Sequence, residues 1–226
     1  MTTFFLRKKL ISIISIIFSL IFVMLSLVYA GFMTQVKVLE FQTTFYFLVS
    51  ETLSVEASTE FIKLEGGAGY LLEYGGREYI ILSVYTNEEE GESVCSALST
   101  MGRQVKLLPI SIYRLYFKGK QKQSVSMYVS ALKSIKEYIF ILHQCIILLD
   151  NGATQEGIKR ILTPVQKHFA RQSCLFQDKY TEYANLCDCV GEELQQINQT
   201  VFARDLRYLT CGMVDGFFKL CKQFEL

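Results

Sequence analysis

The sequence predicts an α+β protein in three parts: an N-terminal transmembrane helix, a βαββαβ unit and an antiparallel α-helical bundle. Three observations carry that prediction. Leu10 to Gly31 is a run of 22 residues without a charge. Phe45 to Ile110 reads as one strand-helix-strand unit written twice, with its halves 33 residues apart. Beyond Ser124 the apolar period becomes helical and stays so.

In chain order the uncharged run comes first. As a helix it would be roughly 33 Å long, against a hydrocarbon core of about 30 Å. Arg7, Lys8 and Lys9 precede it, and only Lys37 and Glu40 lie near its far end. The positive-inside rule therefore places the N-terminus in the cytoplasm and the bulk of the chain outside, as a single-pass protein of the cell membrane. A cleaved leader is the competing reading, because Val28-Tyr29-Ala30 resembles a small-residue cleavage site. Secretory apolar cores, however, run only about 7 to 15 residues. Residues 1–33 are assigned to a cytoplasmic tail and membrane helix, and residues 34–44 to a tether. The net charge of +1 divides into +3 over residues 1–44, −5 over 45–117 and +3 over 118–226. No part carries the basic stripe of a nucleic-acid binder.

In the duplicated stretch, Phe47, Leu48, Val49 and Ser50 fall on Ile80, Ile81, Leu82 and Ser83, while Ser58, Gly69 and Leu72 fall on Gly91, Gly102 and Val105. Phe45 to Val49 and Tyr79 to Tyr85 are apolar or aromatic runs of strand length. Ser54 to Leu64 and Asn87 to Met101 carry apolar residues three and four apart, as helices do. Tyr70 to Tyr74 and Gln104 to Leu108 close the two halves, and Gly75-Gly76 between them is a tight-hairpin signal. That order is the split βαβ, or ferredoxin-like, arrangement: one antiparallel sheet with both helices on one face and the other face open. Ser111 to Phe117, with Tyr113, Leu115 and Phe117 alternating, extends the last strand or adds an edge strand, so the unit spans residues 45–117.

The opening Phe45-Tyr46-Phe47-Leu48-Val49-Ser50, the small Ala57 and Ser58 of the first helix, and the run from Tyr79 to Tyr85 together resemble the SPOR domain, a family that binds septal peptidoglycan. The likeness covers about a third of the chain. It implies that the open sheet face holds denuded, uncrosslinked glycan strands during division or sporulation. Sugar recognition needs aromatic faces with polar groups beside them, and the candidate ligand-binding residues are Tyr46, Leu48, Ser50, Tyr79, Ile81, Ser83 and Tyr85. By alternation, Tyr46 and Leu48 share one face and Phe45, Phe47 and Val49 the other, which leaves open which face is free. Leu48 and Ser50 stand where the family commonly has Gln and Gly, and Ser83 and Val84 where it has Gly-Pro. Those departures favour an alternative: a protein-interaction scaffold that uses the same fold without glycan binding.

Lys118 to Gln123 is a polar, basic, glycine-containing linker. After it, Val125, Tyr128, Leu132, Ile135, Ile139, Leu142, Ile146 and Leu149 alternate spacings of three and four, a heptad seam. Phe140, Ile141, Ile147 and Leu148 broaden the apolar surface, so this helix is expected to be covered on two sides. A second membrane span is excluded, because the run from Tyr138 to Leu149 is short and contains His143 and Gln144. Thr154 to Leu162 predicts a short helix ending before Pro164, and Thr163-Pro164-Val165-Gln166 marks a new start. The stripe from Val165 to Ile197 predicts one long helix, and the pattern resumes from Leu206 to Phe224. Residues 124–226 are thus expected to form a bundle whose helices offer a surface for a protein partner or for self-association.

Reaction chemistry does not assemble from these residues, and the chain is read as non-catalytic, with no cofactor and no metal. Cys187-Asp188-Cys189 with His168, Cys174 and Cys211 has the chemistry of zinc ligands, but Cys-x-Cys on a helix points its thiols about 200° apart. His143 and His168 sit among helical apolar positions, not beside a nucleophile. Gly66-Gly67-Ala68-Gly69 lacks the Lys-Ser/Thr of a phosphate loop and leads into a strand. Glu88, Glu89, Glu90 and Glu92 suit the first turn of a helix, whose dipole favours acidic groups. Cys145, Cys174, Cys187, Cys211 and Cys221 fall in segments of helical period and are expected to pack as small hydrophobes.

Overall fold

The computed structural model describes residues 36–51, 65–118, 122–178 and 180–224, together with Met24, Thr59, Ile62 and Lys63. The aromatic and β-branched residues after Val36 form strand β1 (Val36–Ser50), which pairs antiparallel with β3 (Arg77–Tyr85) on one side and β4 (Val105–Lys118) on the other. Strand β2 (Tyr70–Tyr74) joins β3 through Gly75-Gly76. Their φ values of 61° and 73° are the left-handed pair that a two-residue hairpin needs and that glycine adopts without a Cβ clash. The sheet order is β2-β3-β1-β4. Pro109 and Lys106 lie on β4, the outer strand, where they blunt an exposed edge against pairing with another chain.

Helix α1 (Glu88–Thr100) starts at Asn87, whose side chain accepts the Glu89 amide at 3.0 Å. It lies close on the sheet because Gly91 has no Cβ: an added one would fall 2.9 Å from the Leu107 side chain. Helices α2 (Lys122–Asp150), α3 (Gln155–Phe176), α4 (Thr181–Ile197) and α5 (Ala203–Lys222) follow. Among the described residues the architecture is therefore α+β, with a four-stranded antiparallel sheet and these five helices.

The expected fold class and localisation need correction at the N-terminus. No helix among the described residues is long and apolar enough to cross a membrane, so a single-pass membrane protein is not supported. The run Leu10–Gly31 on which that expectation rests lies, Met24 apart, outside the described residues. Most of the predicted first helix, Ser54–Leu64, lies outside them as well, although Thr59, Ile62 and Lys63 are helical.

The expected tether is largely strand. From Val36 onward β1 pairs with β4 out to Lys118, supported by a Thr44–Ser111 hydroxyl hydrogen bond of 2.8 Å and by buried Phe41 and Thr43. Glu40 and Gln42, both exposed and polar, disguise this half of the strand. Ser111–Phe117 simply continues β4.

Pro164 does not end a helix. Helix α3 runs through it, and the Thr163 hydroxyl donates to the Lys159 carbonyl at 2.7 Å in the stretch where proline removes a backbone donor. Ile158, Leu162, Val165 and Phe169 hold the segment together as one buried stripe. The break comes later, between Phe176 and Thr181, where the chain turns back. Phe176 meets Tyr183, and Gly191 lies against Ala170 and Phe169, so α3 and α4 pack antiparallel.

Helix α5 carries charge at Arg204, Asp205, Arg207, Asp215, Lys219 and Lys222, but from Leu209 to Cys221 it is buried on most of its circumference, as a helix covered on several sides is. Phe217 and Phe218 pack on Phe41, Phe45 and Phe47 of β1, with ring centroids 5.8 to 6.2 Å apart. On its far side, Gly216 admits the Leu186 side chain of α4. Helix α2 lies beside α5 on the same sheet face, with Tyr128 against Phe117 and Lys136 donating to Thr43 at 3.1 Å. The buried residues of sheet and helices form one continuous cluster from Phe41 to Cys221.

Candidate functional site

The sheet has two covered faces. The one carrying Phe41, Phe45, Phe47 and Val49, opposite α1, is the face that a ferredoxin-like sheet leaves open, and here α5 and α2 close it. Phe45 and Phe47 are both 0% exposed.

The seven candidate ligand residues do not share a face. Opposite β1, the register passes from Leu48↔Ser83 to Val49↔Ile81, so Leu82 is an extra residue in β3. Such a bulge inverts the alternation beyond it. Tyr79 and Ile81 therefore face α5 with Val49, Ile81 fully buried and Tyr79 half-buried against the core. Ser83 and Tyr85 face α1 with Tyr46, Leu48 and Ser50. Tyr46 lies at the end of that face and donates to Glu88 at 3.2 Å.

The remaining four, Leu48, Ser50, Ser83 and Tyr85, line a chamber of about 510 Å³ between the sheet, α1 and the helical turn at Ile62. Its body is apolar, with Leu82, Val94 and Leu98 beside Leu48 and Ile62. Its polar groups come from the sheet and from the turn at Glu65-Gly66. Arg103 pairs with the Glu65 carboxylate, and Arg207 of α5 donates through Nη1 to the Gly66 carbonyl at 2.7 Å and through Nη2 to Asp150. Burial pushes the Tyr85 phenol up, while the Ser83 hydroxyl and the Arg207 guanidinium pull it part of the way back. Behind Tyr85, His143 of α2 is buried at 3% exposure, with Nε2 3.0 Å from both Glu90 carboxylate oxygens and its ring edge-on to Tyr85.

Sequence reasoning missed Arg103, Arg207 and the His143–Glu90 pair. A signal existed for Arg207, a lone cation between Leu206 and Leu209 inside an apolar stripe, which is a position that demands a partner. Arg103 carried none, since it follows a helix end like any surface cation. Cys187 is buried and Cys189 exposed on the same helix, and no group of three or more metal-ligating side chains lies together among the described residues.

No protein-family model, no curated protein and no solved structure matches this chain.

Proposed function

We propose that this chain is a non-catalytic interaction scaffold, and that it does not hold glycan strands across its sheet. The observation that carries this reading is the closure of the sheet face by α5. A glycan-binding platform needs aromatic rings open to solvent, and here Phe41, Phe45 and Phe47 meet Phe217 and Phe218 instead. Among the apolar groups left at the surface is a stripe on the outer side of α2, where Phe140 is 51% and Leu148 42% exposed with Ile141 and Ile147 half-buried beside them. That stripe suits a contact with another protein. The test is retention of the full chain on purified sacculi, intact and amidase-treated, alongside a photo-crosslinking residue placed at position 140 or at position 133. We expect no retention on either preparation and protein adducts only from position 140. Retention on amidase-treated sacculi would restore the glycan reading.

A further inference from the structure

The apolar stripe on the outer side of α2 suits a protein, and its pattern specifies which one. We propose that the protein docked there is a second copy of this chain, laid antiparallel along α2 with a two-fold axis at Gln144, a step that rests on the scaffold role proposed above.

The pattern of the stripe is the first support. Phe140 and Ile147 are seven residues apart, as are Ile141 and Leu148, and about seven residues make two helical turns, so each pair shares one side of the helix. Gln144 stands between them, four residues after Phe140 and four before Leu148, three after Ile141 and three before Ile147. Helix geometry puts Phe140 and Ile147 about 40 to 60° to one side of Gln144, and Ile141 and Leu148 about as far to the other. An antiparallel copy turned about an axis at Gln144 therefore sets Phe140 against the partner's Ile147 and Ile141 against the partner's Leu148. Each contact occurs twice, as an isologous interface requires.

The residue on the axis is the second. A two-fold axis brings a side chain against its own image, so what stands there must be compatible with itself. A carboxamide is both donor and acceptor and can exchange hydrogen bonds with its copy, whereas a carboxylate or an ammonium would meet its own charge. Gln144 is exposed, and the stretch from Tyr138 to Leu149 contains no Asp, Glu, Lys or Arg.

Charge also chooses the direction. Glu137 and Lys133 are exposed and lie seven and eleven residues before Gln144, on its side of the helix. A parallel copy would bring each against its own like charge. In the antiparallel arrangement the two Glu137 side chains are roughly 20 Å apart and the two Lys133 side chains farther still.

Area sets the strength. Ile161 of α3, 38% exposed, is seven residues before His168 and so lies on the side of α3 that meets Tyr138 of α2, which widens the patch. These five apolar side chains and Gln144 from each copy would bury on the order of 1,000 Å² in total, the lower bound for a specific interface. The dimer is therefore reversible and of micromolar affinity, between monomers already folded.

Sedimentation velocity of the full chain over a wide concentration range tests the axis. Wild type should pass reversibly between monomer and dimer. Gln144→Glu and Gln144→Lys should each dimerise at least about tenfold more weakly, and an equimolar mixture of the two should regain the wild-type affinity or exceed it. Because Gln144 is exposed, both variants should keep the wild-type circular dichroism spectrum. A monomer at every concentration, or a dimer indifferent to both substitutions, overturns the proposal, as does a mixture no tighter than its components. A photo-crosslinking residue at position 140, in otherwise wild-type chain mixed with its ¹⁵N-labelled form, gives a reading independent of those variants. The expected adduct has twice the mass of the chain and joins position 140 of one copy to the region of Ile147 of the other. Adducts from position 140 to a different protein alone would overturn the self-docking and leave the scaffold role standing, whereas no protein adduct at all would remove both.

Discussion

His168 lies against the rings of Tyr138 and Phe169, with centroids 4.7 and 6.1 Å away, and its Nε2 is buried without a hydrogen-bond partner. Burial, and after it the nearby Arg171, lower its pKa. The folded chain therefore holds this proton less readily than the unfolded chain, whose imidazole titrates near 6.5. Its contribution to stability is full above that value and is lost as pH falls through it toward the lower folded value. Thermal midpoints measured from pH 8 to pH 5 should decline below about pH 6.5, and His168→Phe should flatten that part of the curve. Asp215 offers a second test. This carboxylate is buried between the Tyr70 hydroxyl and the Lys219 ammonium, each 2.8 Å away, and burial together with Asp215 pushes the Tyr70 phenol up. Tyr70→Phe leaves the carboxylate one donor short and should cost about 1 to 3 kcal/mol in a urea titration. Neither role was legible beforehand. The sequence marks both histidines as lying among apolar positions, but only the fold says which atoms find partners.

At the scale of the element, the seam of α2 was the most legible feature, because a three-four alternation has one physical solution. Val125, Tyr128, Leu132, Ile135, Ile139, Leu142 and Ile146 are all buried. Ile139→Ala and Leu142→Ala should each cost about 2 to 5 kcal/mol, read from chemical denaturation. Lys133→Ala, on the exposed side, should stay within about 0.5 kcal/mol. Lys136→Ala should cost somewhat more than Lys133→Ala, since Lys136 holds the buried Thr43 hydroxyl. The β3 bulge was not legible. Ile80, Ile81 and Leu82 are all aliphatic, so alternation carries no mark of where one residue is skipped, and a slip of one position sends Tyr79 and Ile81 to the opposite face from Ser83 and Tyr85. Pro164 misled for a different reason. The stripe from Ile158 to Phe169 packs well enough to carry a helix across a residue that would end an isolated one.

For the molecule as a whole, the alternation of β1 correctly separated Phe45, Phe47 and Val49 from Tyr46 and Leu48, but it could not announce that α5 would cover the first set. Apolar residues on a strand face look the same whether a ligand or a distant helix covers them. Because sheet and helices share one cluster, deleting residues 203–226 should expose Phe41, Phe45 and Phe47 and abolish cooperative unfolding. Gain of fluorescence from a hydrophobic dye would check this. The same burial governs the thiols. Burial pushes Cys145 up to about 11 and Cys187 up to about 12, and it raises Cys211 as well, whereas Cys174 and Cys189 are exposed. Intact-mass analysis after brief alkylation at neutral pH should find Cys174 and Cys189 modified, with Cys145, Cys187, Cys211 and Cys221 reacting only after denaturation. The distance along the chain between partners also sets an order of events during synthesis. The Tyr70–Asp215 bond joins residues 145 positions apart, and the rings that cover β1 belong to α5, which leaves the ribosome after the four strands and helices α1 to α4. Contacts that remote close slowly. Until they do, the nascent sheet presents a bare phenylalanine face, and a ribosome stalled before residue 203 holds a chain that chaperones must shield or proteases will remove.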